Sequence, residues 1–376
     1  MRWATLLHWL VEMILKMIYR EIINKHGRAA RFVRSWQNLL LLACCLALPS
    51  VGFSISQAPG LKPLIVTLPL GVTSREIQKA LDSLPLTGGE VLLPAQTIEV
   101  SQPIILQRSF ENLSGAGAQT VLHLANGANC PVIIMGQPLN NPRQPVAHLL
   151  VSNLFIDGNR AHQQRELWQL TGEGSEIRNN GITVQNVSDS QIEHVTCARC
   201  RSGGLVTTLG VRRLSVSDLT SFDNQFDGLA CYLTEDSTFA KLFLHDNPGA
   251  GISLDLAFNH NVISDATLDS NDLGIFMRSS RGNQFHDISI RQSHNFGVFM
   301  AQAMEQTTKG CQRDPQTECT NNSFTNFSAN KCGSAAFRIN DLDCTNNVMI
   351  GAQFDDPAHG LSMVQPNLLT IQGIPH

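Results

Sequence analysis

The second half of the chain consists of short runs in which apolar and polar residues alternate. Two examples are Ile275–Arg278 and Phe285–Ile290, and Asn, Asp, Ser and Gly residues separate such runs. Alternation with a period of two predicts β-strands, and the polar punctuation predicts tight turns. No repeat carries a long apolar helical face, so the pattern disfavours a horseshoe built from strand-plus-helix units.

A glycine followed by a branched aliphatic residue recurs at a nearly constant spacing. It stands at Gly181, Gly204, Gly228, Gly251, Gly274 and Gly297. The register is interrupted by an insertion at 305–320 and resumes near Ala336. A fixed period of this size indicates a solenoid. Several short strands in each turn predict a parallel β-helix, which is an all-β fold.

The segment from Thr73 to Leu84 predicts a short helix that covers the open end of the solenoid. Thr73 and Glu76 have capping-box spacing, and Pro85 follows the last apolar position. A solenoid needs such a cap, because its first turn would otherwise expose the core.

Asparagines recur late in the repeats. Their amide side chains can cap backbone groups in turns, so we expect them to stack into a structural ladder rather than to act in catalysis. The residues concerned are Asn224, Asn247, Asn271, Asn295 and Asn330.

The segment 1–58 predicts an exported leader. A basic region precedes an apolar block at 39–48, and small residues follow. This is the order found in a secretory signal peptide, and the block is too short to span a bilayer comfortably. We therefore expect a leader over 1–58, a β-helix domain over 59–376 with regular coils at 181–355, and a secreted, periplasmic or cell-surface protein with no transmembrane helix in its mature form. Lipidation of Cys44 is the lesser alternative.

The formal charge of −4 hides an asymmetry between leader and domain. Seven basic and two acidic groups fall in the segment 1–58, which leaves 20 basic against 29 acidic groups in the domain, a net charge of −9. A domain of this charge does not resemble a nucleic-acid binder. It would also repel an anionic polysaccharide at long range, so neutral glycans remain competitive ligands.

The start of the domain resembles the pectin-lyase-like right-handed β-helix proteins. The resemblance rests on a Gly-Gly-x-Val-x-Leu-Pro strand and a later Gly-x-Gly, and it extends over about residues 70–355. It implies a single-stranded right-handed parallel β-helix that acts on a polysaccharide or oligosaccharide as a lyase, hydrolase or epimerase. The alternative is a non-catalytic glycan-binding or structural surface protein. The matching residues are Gly88, Gly89, Val91, Leu93, Pro94, Gly115 and Gly117.

The same period predicts which residues share the outer face. If the residue after each glycine points inward, the second and fourth residues point outward. The fourth-residue column contains Tyr232, Asp255 and Arg278, and also Asn340 if Ala336 takes the glycine place. The second-residue column contains Phe276, Phe299 and Arg338, and Asp227 lies near the same strip.

These residue types suit a sugar-binding groove, with aromatic surfaces for sugar faces and charged groups for hydroxyls or carboxylates. We expect Tyr232, Arg338, Asn340, Phe276 and Phe299 to bind substrate. For hydrolysis, Asp227 and Asp255 would be the acid and base. For elimination or epimerisation of a uronate, Arg278 or Arg338 would neutralise the carboxylate, and Tyr232 or Arg278 would be the base. The structural alternative is that Asp255 and Arg278 form an ion pair between coils.

Export would permit disulfides. Cys311 and Cys319 bracket the polar insertion and are expected to staple it, and Cys332 and Cys344 are a second possible pair.

No cofactor is required by any motif. Calcium at Asp157, Glu173 and Glu176 is conceivable, although their spacing lacks a loop signature. We expect a monomer.

Overall fold

The computed structural model describes residues 64–164, 177–303, 316–355 and 360–373. All of them belong to the compact unit Pro63–His376. The expected leader, with its apolar block and Cys44, lies outside the described residues.

The described residues form parallel strands, numbered along the chain, and one α-helix. The helix is α1 (Ser74–Ser83), and short 3₁₀ turns lie at Gly117–Gln119, Arg160–His162 and Pro366–Leu368. The strands are β1 (Leu64–Thr67), β2 (Gly89–Leu92), β3 (Thr97–Val100), β4 (Ile104–Leu106), β5 (Glu111–Ser114), β6 (Val121–Leu124), β7 (Ile133–Met135), β8 (Val146–Ala147), β9 (Leu150–Asp157), β10 (Ile182–Gln185), β11 (Val187–Ala198), β12 (Leu205–Thr208), β13 (Val211–Phe222), β14 (Leu229–Tyr232), β15 (Thr234–Glu235), β16 (Thr238–His245), β17 (Ala250–Asp255), β18 (Phe258–Asn259), β19 (Val262–Asp269), β20 (Leu273–Arg278), β21 (Ser280–Arg281), β22 (Gln284–Arg291), β23 (Phe296–Ala301), β24 (Ser323–Asn330), β25 (Ala335–Ile339), β26 (Asn347–Ile350), β27 (Gln353–Phe354), β28 (Leu361–Met363) and β29 (Leu369–Gln372).

The strands stack as the turns of a solenoid, and every described pairing is parallel. One sheet, here called the front sheet, consists of β4, β7, β10, β12, β14, β17, β20, β23, β25 and β28. The remaining strands form the other walls. The predicted right-handed parallel β-helix is confirmed.

The residue after each periodic glycine forms one continuous column of the core. Each residue of this column pairs in register with the next one, in the order Ile182, Leu205, Leu229, Ile252, Ile275, Val298 and Phe337. All of them are fully buried. Ala336 therefore takes the glycine position in its coil, as the sequence predicted.

Close approach of the backbone explains why glycine occupies this column. A β-carbon on Gly228 would lie 2.9 Å from the carbonyl oxygen of Gly251, and one on Gly251 would lie 3.0 Å from that of Gly274. A backbone carbonyl cannot move aside without breaking the sheet. The glycine period is thus the signature of tight stacking between coils.

The asparagine ladder is confirmed for three of its five predicted members. Asn224 Nδ2 donates to Asn247 Oδ1 at 3.0 Å, and Asn247 Nδ2 donates to Asn271 Oδ1 at 2.9 Å. The prediction was wrong for Asn295 and Asn330. The register that pairs Asp269 with Arg291 and Arg291 with Asn330 puts Ser293 and Cys332 in the next two ladder positions.

The structure contains a second asparagine ladder that was not predicted from the sequence. It consists of four buried residues, Asn261, Asn283, Asn322 and Asn347. The Oδ1 atom of each of the last three accepts both the backbone N–H and the side-chain amide of the preceding ladder asparagine. Asn261 Oδ1 accepts the backbone N–H of Ser237. Each of the four directly precedes or begins a strand. This constant position before a strand could have revealed the second ladder. The insertion between Asn283 and Asn322 breaks the regular spacing of its members and obscured it.

Helix α1 covers the first coil as expected. Thr73 and Glu76 form the capping box, and Ile77, Ala80 and Leu81 are buried. Arg108 holds the other end, because it donates to the carbonyl oxygens of Leu81 and Leu84. It also pairs with Glu111 at 2.6 Å.

The described cysteines are free thiols, so the pairing of Cys332 with Cys344 was wrong. Cys344 contacts Cys319 instead, and burial together with this contact raises the pKa of the Cys319 thiol well above its ordinary value. Cys332 lies beside Ser293 and away from that pair. Cys311, the expected partner of Cys319, lies outside the described residues.

Candidate functional site

The two outer columns of the front sheet have the register that the sequence predicted. Tyr232 pairs with Asp255, and Ser253, Phe276, Phe299 and Arg338 pair in succession. Parallel coils stack about 4.8 Å apart, so the side chains of each column lie directly above one another. The structure thus brings all the predicted site residues except Asp227 onto one strip.

Asp255 and Arg278 form the ion pair between coils that was the structural alternative. Arg278 Nε donates to Asp255 Oδ2 at 2.9 Å, and a second guanidinium nitrogen donates to the same oxygen. The other carboxylate oxygen accepts the backbone N–H of Leu256. The Asp255 side chain is only 4% exposed and that of Arg278 is 30% exposed. The Arg278 side chain is therefore partly exposed, while Asp255 holds its guanidinium in place.

Tyr232 is buried rather than exposed, which corrects the expectation of an open aromatic surface at this position. It is 7% exposed and packs against Val206, Ala230 and Leu256. Leu256 reaches the ring because the chain turns sharply after β17, where Leu256 has a positive φ of 50°. The alternation rule places a side chain on a face but does not say whether a neighbouring turn covers it.

Asp227 lies at the other end of the strand from Asp255. It precedes β14 by two positions, whereas Asp255 is level with Tyr232 at the end of that strand. Five extended residues correspond to about 16 Å, and Asp227 Oδ1 accepts the backbone N–H of Ala250 at 2.8 Å. The expected acid and base pair of hydrolysis is therefore not brought together.

Phenylalanine rings form a platform beside the ion pair. The rings of Phe276 and Phe299 are stacked with centroids 6.1 Å apart and an angle of 5° between planes. Phe296 packs against Phe299 at 5.3 Å, and the Arg278 guanidinium lies 5.6 Å from the Phe276 centroid. All three rings are half-buried, so they present apolar surface to a ligand.

Arg338 extends this platform. One guanidinium nitrogen donates to Ser362 Oγ at 2.6 Å and another to Asn340 Oδ1 at 3.2 Å. No carboxylate pairs with Arg338 within the part of the chain that the structure describes. Its positive charge is held in place by neutral partners and remains available to an anion. Ser362 belongs to β28, beyond the last regular repeat, and was missed for that reason.

A segment before β8 covers the other end of the strip. Gln185, on the outer face of β10, donates to the carbonyl oxygens of Gln137 and Leu139. Asn140 and Arg178 line a small pocket together with Tyr232 and with Thr183, Val206 and Thr208 of the outer columns. No pattern in the sequence indicates this cover, since residues 137–144 lie outside the repeat.

Asp157, proposed for calcium, has cationic and backbone partners instead. Its carboxylate is 3.0 Å from an Arg199 nitrogen and 3.0 Å from His123 Nδ1. Burial opposes its ionisation, but hydrogen bonds from Arg199, the Asn159 amide and His123 hold its pKa below the ordinary value. Glu173 and Glu176 lie outside the described residues. Among those described, no group of three or more His, Cys, Asp or Glu side chains is placed to hold a metal ion.

No helix in the described ranges is long and apolar enough to cross a membrane.

Comparison with known proteins agrees with this architecture. The sequence profile of the right-handed β-helix region matches residues 148–285. No curated protein sequence matches significantly.

Among solved structures, a polygalacturonase from Erwinia carotovora subsp. carotovora superposes with a TM-score of 0.56 at 12% identity, covering 83% of this chain and 97% of that one. An endo-xylogalacturonan hydrolase from Aspergillus tubingensis superposes with a TM-score of 0.52 at 12% identity, covering 83% and 98%. The N-terminal fragment of gene product 12 from bacteriophage Phi29 superposes with a TM-score of 0.51 at 14% identity, covering 80% and 54%. The chain thus spans about half of the phage fragment.

At these identities the likeness concerns the fold. The register of the strands, the stacked core columns and these comparisons together give the chain the right-handed parallel β-helix fold of the pectin-lyase-like proteins.

Proposed function

We propose that this protein binds a polysaccharide along the outer strip of the front sheet. The observation that carries the proposal is the half-buried Phe276 and Phe299 platform flanked by Arg278 and Arg338. Sugar rings have apolar faces that pack on aromatic surfaces, and their hydroxyls and carboxylates accept hydrogen bonds from guanidinium groups. The strip offers both kinds of surface within adjacent coils.

Galacturonan is the polysaccharide class that we propose first. Two proteins of the same fold are named for galacturonans. In addition, Arg338 is fixed by Ser362 and Asn340 and has no carboxylate partner in the described residues. Such an arginine suits the carboxylate of a galacturonate unit. A neutral glycan is the competing ligand, because the segment 59–376 carries a net charge of −9.

Chemical turnover is the second candidate function, and the row of Tyr232, Asp255 and Arg278 favours it. Asp255 is the carboxylate that lies in the outer columns of the strip, and the guanidinium of its partner Arg278 lies against the Phe276 ring of the platform. In this candidate Asp255 orients Arg278, which neutralises a substrate carboxylate. Incubation of wild type and Asp255→Asn with polygalacturonate, followed by assays of reducing ends and of the ultraviolet absorbance of unsaturated uronates, tests it. Turnover that is absent in wild type, or unchanged in the variant, rejects this candidate.

Binding is tested with a panel of polysaccharides that includes polygalacturonate and neutral glucans. We expect Phe299→Ala to weaken binding about tenfold, which corresponds to about 1.4 kcal/mol. Phe243→Ala is the matched control, because Phe243 is an exposed phenylalanine of β16 in another wall. Binding of no polysaccharide, or equal weakening by both variants, contradicts the proposal.

Export of the protein is part of the same proposal, since polysaccharides of this kind occur outside the cell. N-terminal sequencing of the protein from culture medium, periplasm and membranes tests the signal peptide. A retained Met1 in every fraction contradicts cleavage.

A further inference from the structure

The strip is covered at one end and open at the other. Outer-face residues of the early coils are almost fully buried: Thr183 is 2% exposed and Gln185 is 1% exposed. Tyr232 and Asp255 of the next coils are buried as well, and the more exposed part of the same face begins at Phe276 and continues through Phe299 and Arg338, which are half-buried. Because all of these residues occupy equivalent positions in the sheet, the difference comes from what lies over them.

Residues 137–144 provide cover over the early coils, and hydrogen bonds tie them down firmly. Gln185 Nε2 donates to two carbonyl oxygens of this segment, those of Gln137 and Leu139. Gln137 Oε1 accepts the backbone N–H groups of Arg143 and Gln144 at 3.1 and 3.3 Å, which closes the segment on itself. We call residues 137–144 the strap. It is anchored to the outer face and not merely adjacent to it.

The strap and the strip meet at the small pocket beside Tyr232. Asn140 of the strap, Arg178, and Thr183 and Thr208 of the outer columns line it, so its wall combines amide, hydroxyl and guanidinium groups. From Tyr232 to Asn340 the strip spans four coil steps, or about 19 Å. A long polymer lying along this strip would meet the strap at Tyr232.

We propose that the strap makes this a chain-end site: a glycan enters from the Arg338 side and its terminal sugar stops at the pocket beside Tyr232. The inference rests on the proposed function and specifies which part of the polysaccharide is recognised. A groove open at both ends would accept internal segments of a polymer. A groove closed at one end accepts one terminus of each chain.

Binding stoichiometry distinguishes the two modes without any mutation. Short and long fractions of polygalacturonate are titrated with the full chain, and the number of protein molecules bound per polymer molecule is measured by light scattering. We expect one protein per polymer molecule at every length. A number that rises in proportion to polymer length overturns the inference while leaving polysaccharide binding intact. No binding by any fraction contradicts the proposed function itself.

A strap variant provides the second test. Replacing residues 138–143 by two glycines removes Leu139 and Asn140 from the face but keeps both ends of the strap. We expect several variant molecules to bind each long polymer, and binding to the short fraction to be unchanged. Gln284→Ala, an exposed change on β22 in another wall, is the matched control and should keep one protein per polymer. A folded strap variant, judged by circular dichroism and an unchanged Tm, that still binds once per long polymer contradicts the inference. If the variant does not fold, the wild-type stoichiometry decides alone.

Discussion

Single residues of the ladders stabilise this fold by satisfying buried backbone groups that no strand can reach. Asn247 shows this most clearly. Its Oδ1 accepts both the backbone N–H and the side-chain amide of Asn224, and its own Nδ2 donates to Asn271 Oδ1. Each ladder amide thus joins three successive coils. A buried amide with all its partners contributes to stability, whereas a missing partner leaves donors that water cannot reach.

We predict that Asn247→Ala destabilises the protein by about 2 to 3 kcal/mol, because it orphans the buried N–H of Asn224 and leaves a small cavity. Urea denaturation followed by circular dichroism measures the change. Asn295→Ala is the matched control. Its side chain accepts from Ser334 Oγ at an exposed position, so we expect a loss within about 0.5 kcal/mol. Equal losses in the two variants would contradict the internal role of the ladder.

At the scale of the element, the spacing between coils is set by glycine. A β-carbon on Gly228 would meet the Gly251 carbonyl at 2.9 Å, the Asn247 amide at 3.0 Å and Leu244 Cβ at 3.3 Å. Two of these three atoms belong to backbone or to the ladder. The front sheet and the ladder therefore compete for the same space, and glycine allows both to pack.

We predict that Gly228→Ala destabilises the protein by about 1 to 3 kcal/mol, because the extra carbon forces neighbouring coils apart. Thermal and urea unfolding measure it. The reverse change Ala336→Gly, at the coil where the column already carries a β-carbon, is the control and should cost less than about 1 kcal/mol. A gain in stability for Gly228→Ala would show that the coils can separate without cost.

The contact between α1 and the first coils depends on an ion pair whose carboxylate is buried and whose arginine is partly exposed. Arg108 bonds the last carbonyls of the helix and Glu111, which is 2% exposed. Burial raises the pKa of Glu111 in spite of the opposing hydrogen bonds from Arg108 and the Gln107 amide. A carboxyl whose pKa is raised by folding binds its proton more tightly in the folded state, so its contribution to stability improves as pH falls through that pKa.

We predict that Arg108→Ala costs on the order of 3 kcal/mol near neutral pH, because it leaves the buried Glu111 carboxylate with backbone N–H donors but without its cationic partner. The loss should shrink as pH is lowered from neutrality through the raised pKa of Glu111, because the protonated carboxyl no longer needs a cationic partner. Urea denaturation across this pH range tests the prediction. In Arg108→Ala combined with Glu111→Gln the pH-dependent part of the loss should disappear. A loss that is independent of pH would assign the effect to the helix carbonyls alone.

At the scale of the whole molecule, the parts that repeat were predictable and the parts that occur once were not. The core column and the outer register followed from alternation and the glycine period, which determined the neighbours of Asp255 and Arg278. Only some members of the first ladder were predicted correctly, because a residue belongs to this ladder when it directly follows a turn residue with positive φ. Gln292 and Lys331 have positive φ, and Ser293 and Cys332 follow them. Residue type alone therefore selected Asn295 and Asn330 wrongly.

The cover over the outer face could not have been predicted from the repeat. Tyr232 is buried by Leu256, which packs on it from the turn after β17, and Gln185 is buried beneath the strap. The turn itself recurs, since Leu209, Leu233 and Leu256 all have positive φ one coil apart, but alternation does not predict that its side chain covers the column. The strap does not recur, so the period gives no sign of it. Which side chains share a column follows from alternation within the repeat, whereas which of them contact solvent depends on the turn side chains and the inserted segment that lie over the column.

The charge of the whole domain leads to a further prediction about ligand binding. The segment 59–376 carries a net charge of −9, while Arg278 and Arg338 lie on the strip itself. A polyanion approaching the protein is repelled at long range and attracted at contact. Salt screens charges beyond about 10 Å at about 0.1 M, so it weakens the long-range repulsion more than the contact with a partly buried arginine.

We therefore predict that the affinity for polygalacturonate rises as ionic strength increases from about 0.01 to about 0.1 M. Binding driven by a basic surface would show the opposite trend, a steady fall with salt. Isothermal titration calorimetry at fixed pH measures the dependence. Arg338→Gln removes one of the two arginines that attract the polymer at contact and leaves the overall repulsion, so its affinity should be lower at every salt concentration and should still rise with salt. An affinity that falls with salt in the wild type would mean that the local arginines outweigh the charge of the domain even at long range.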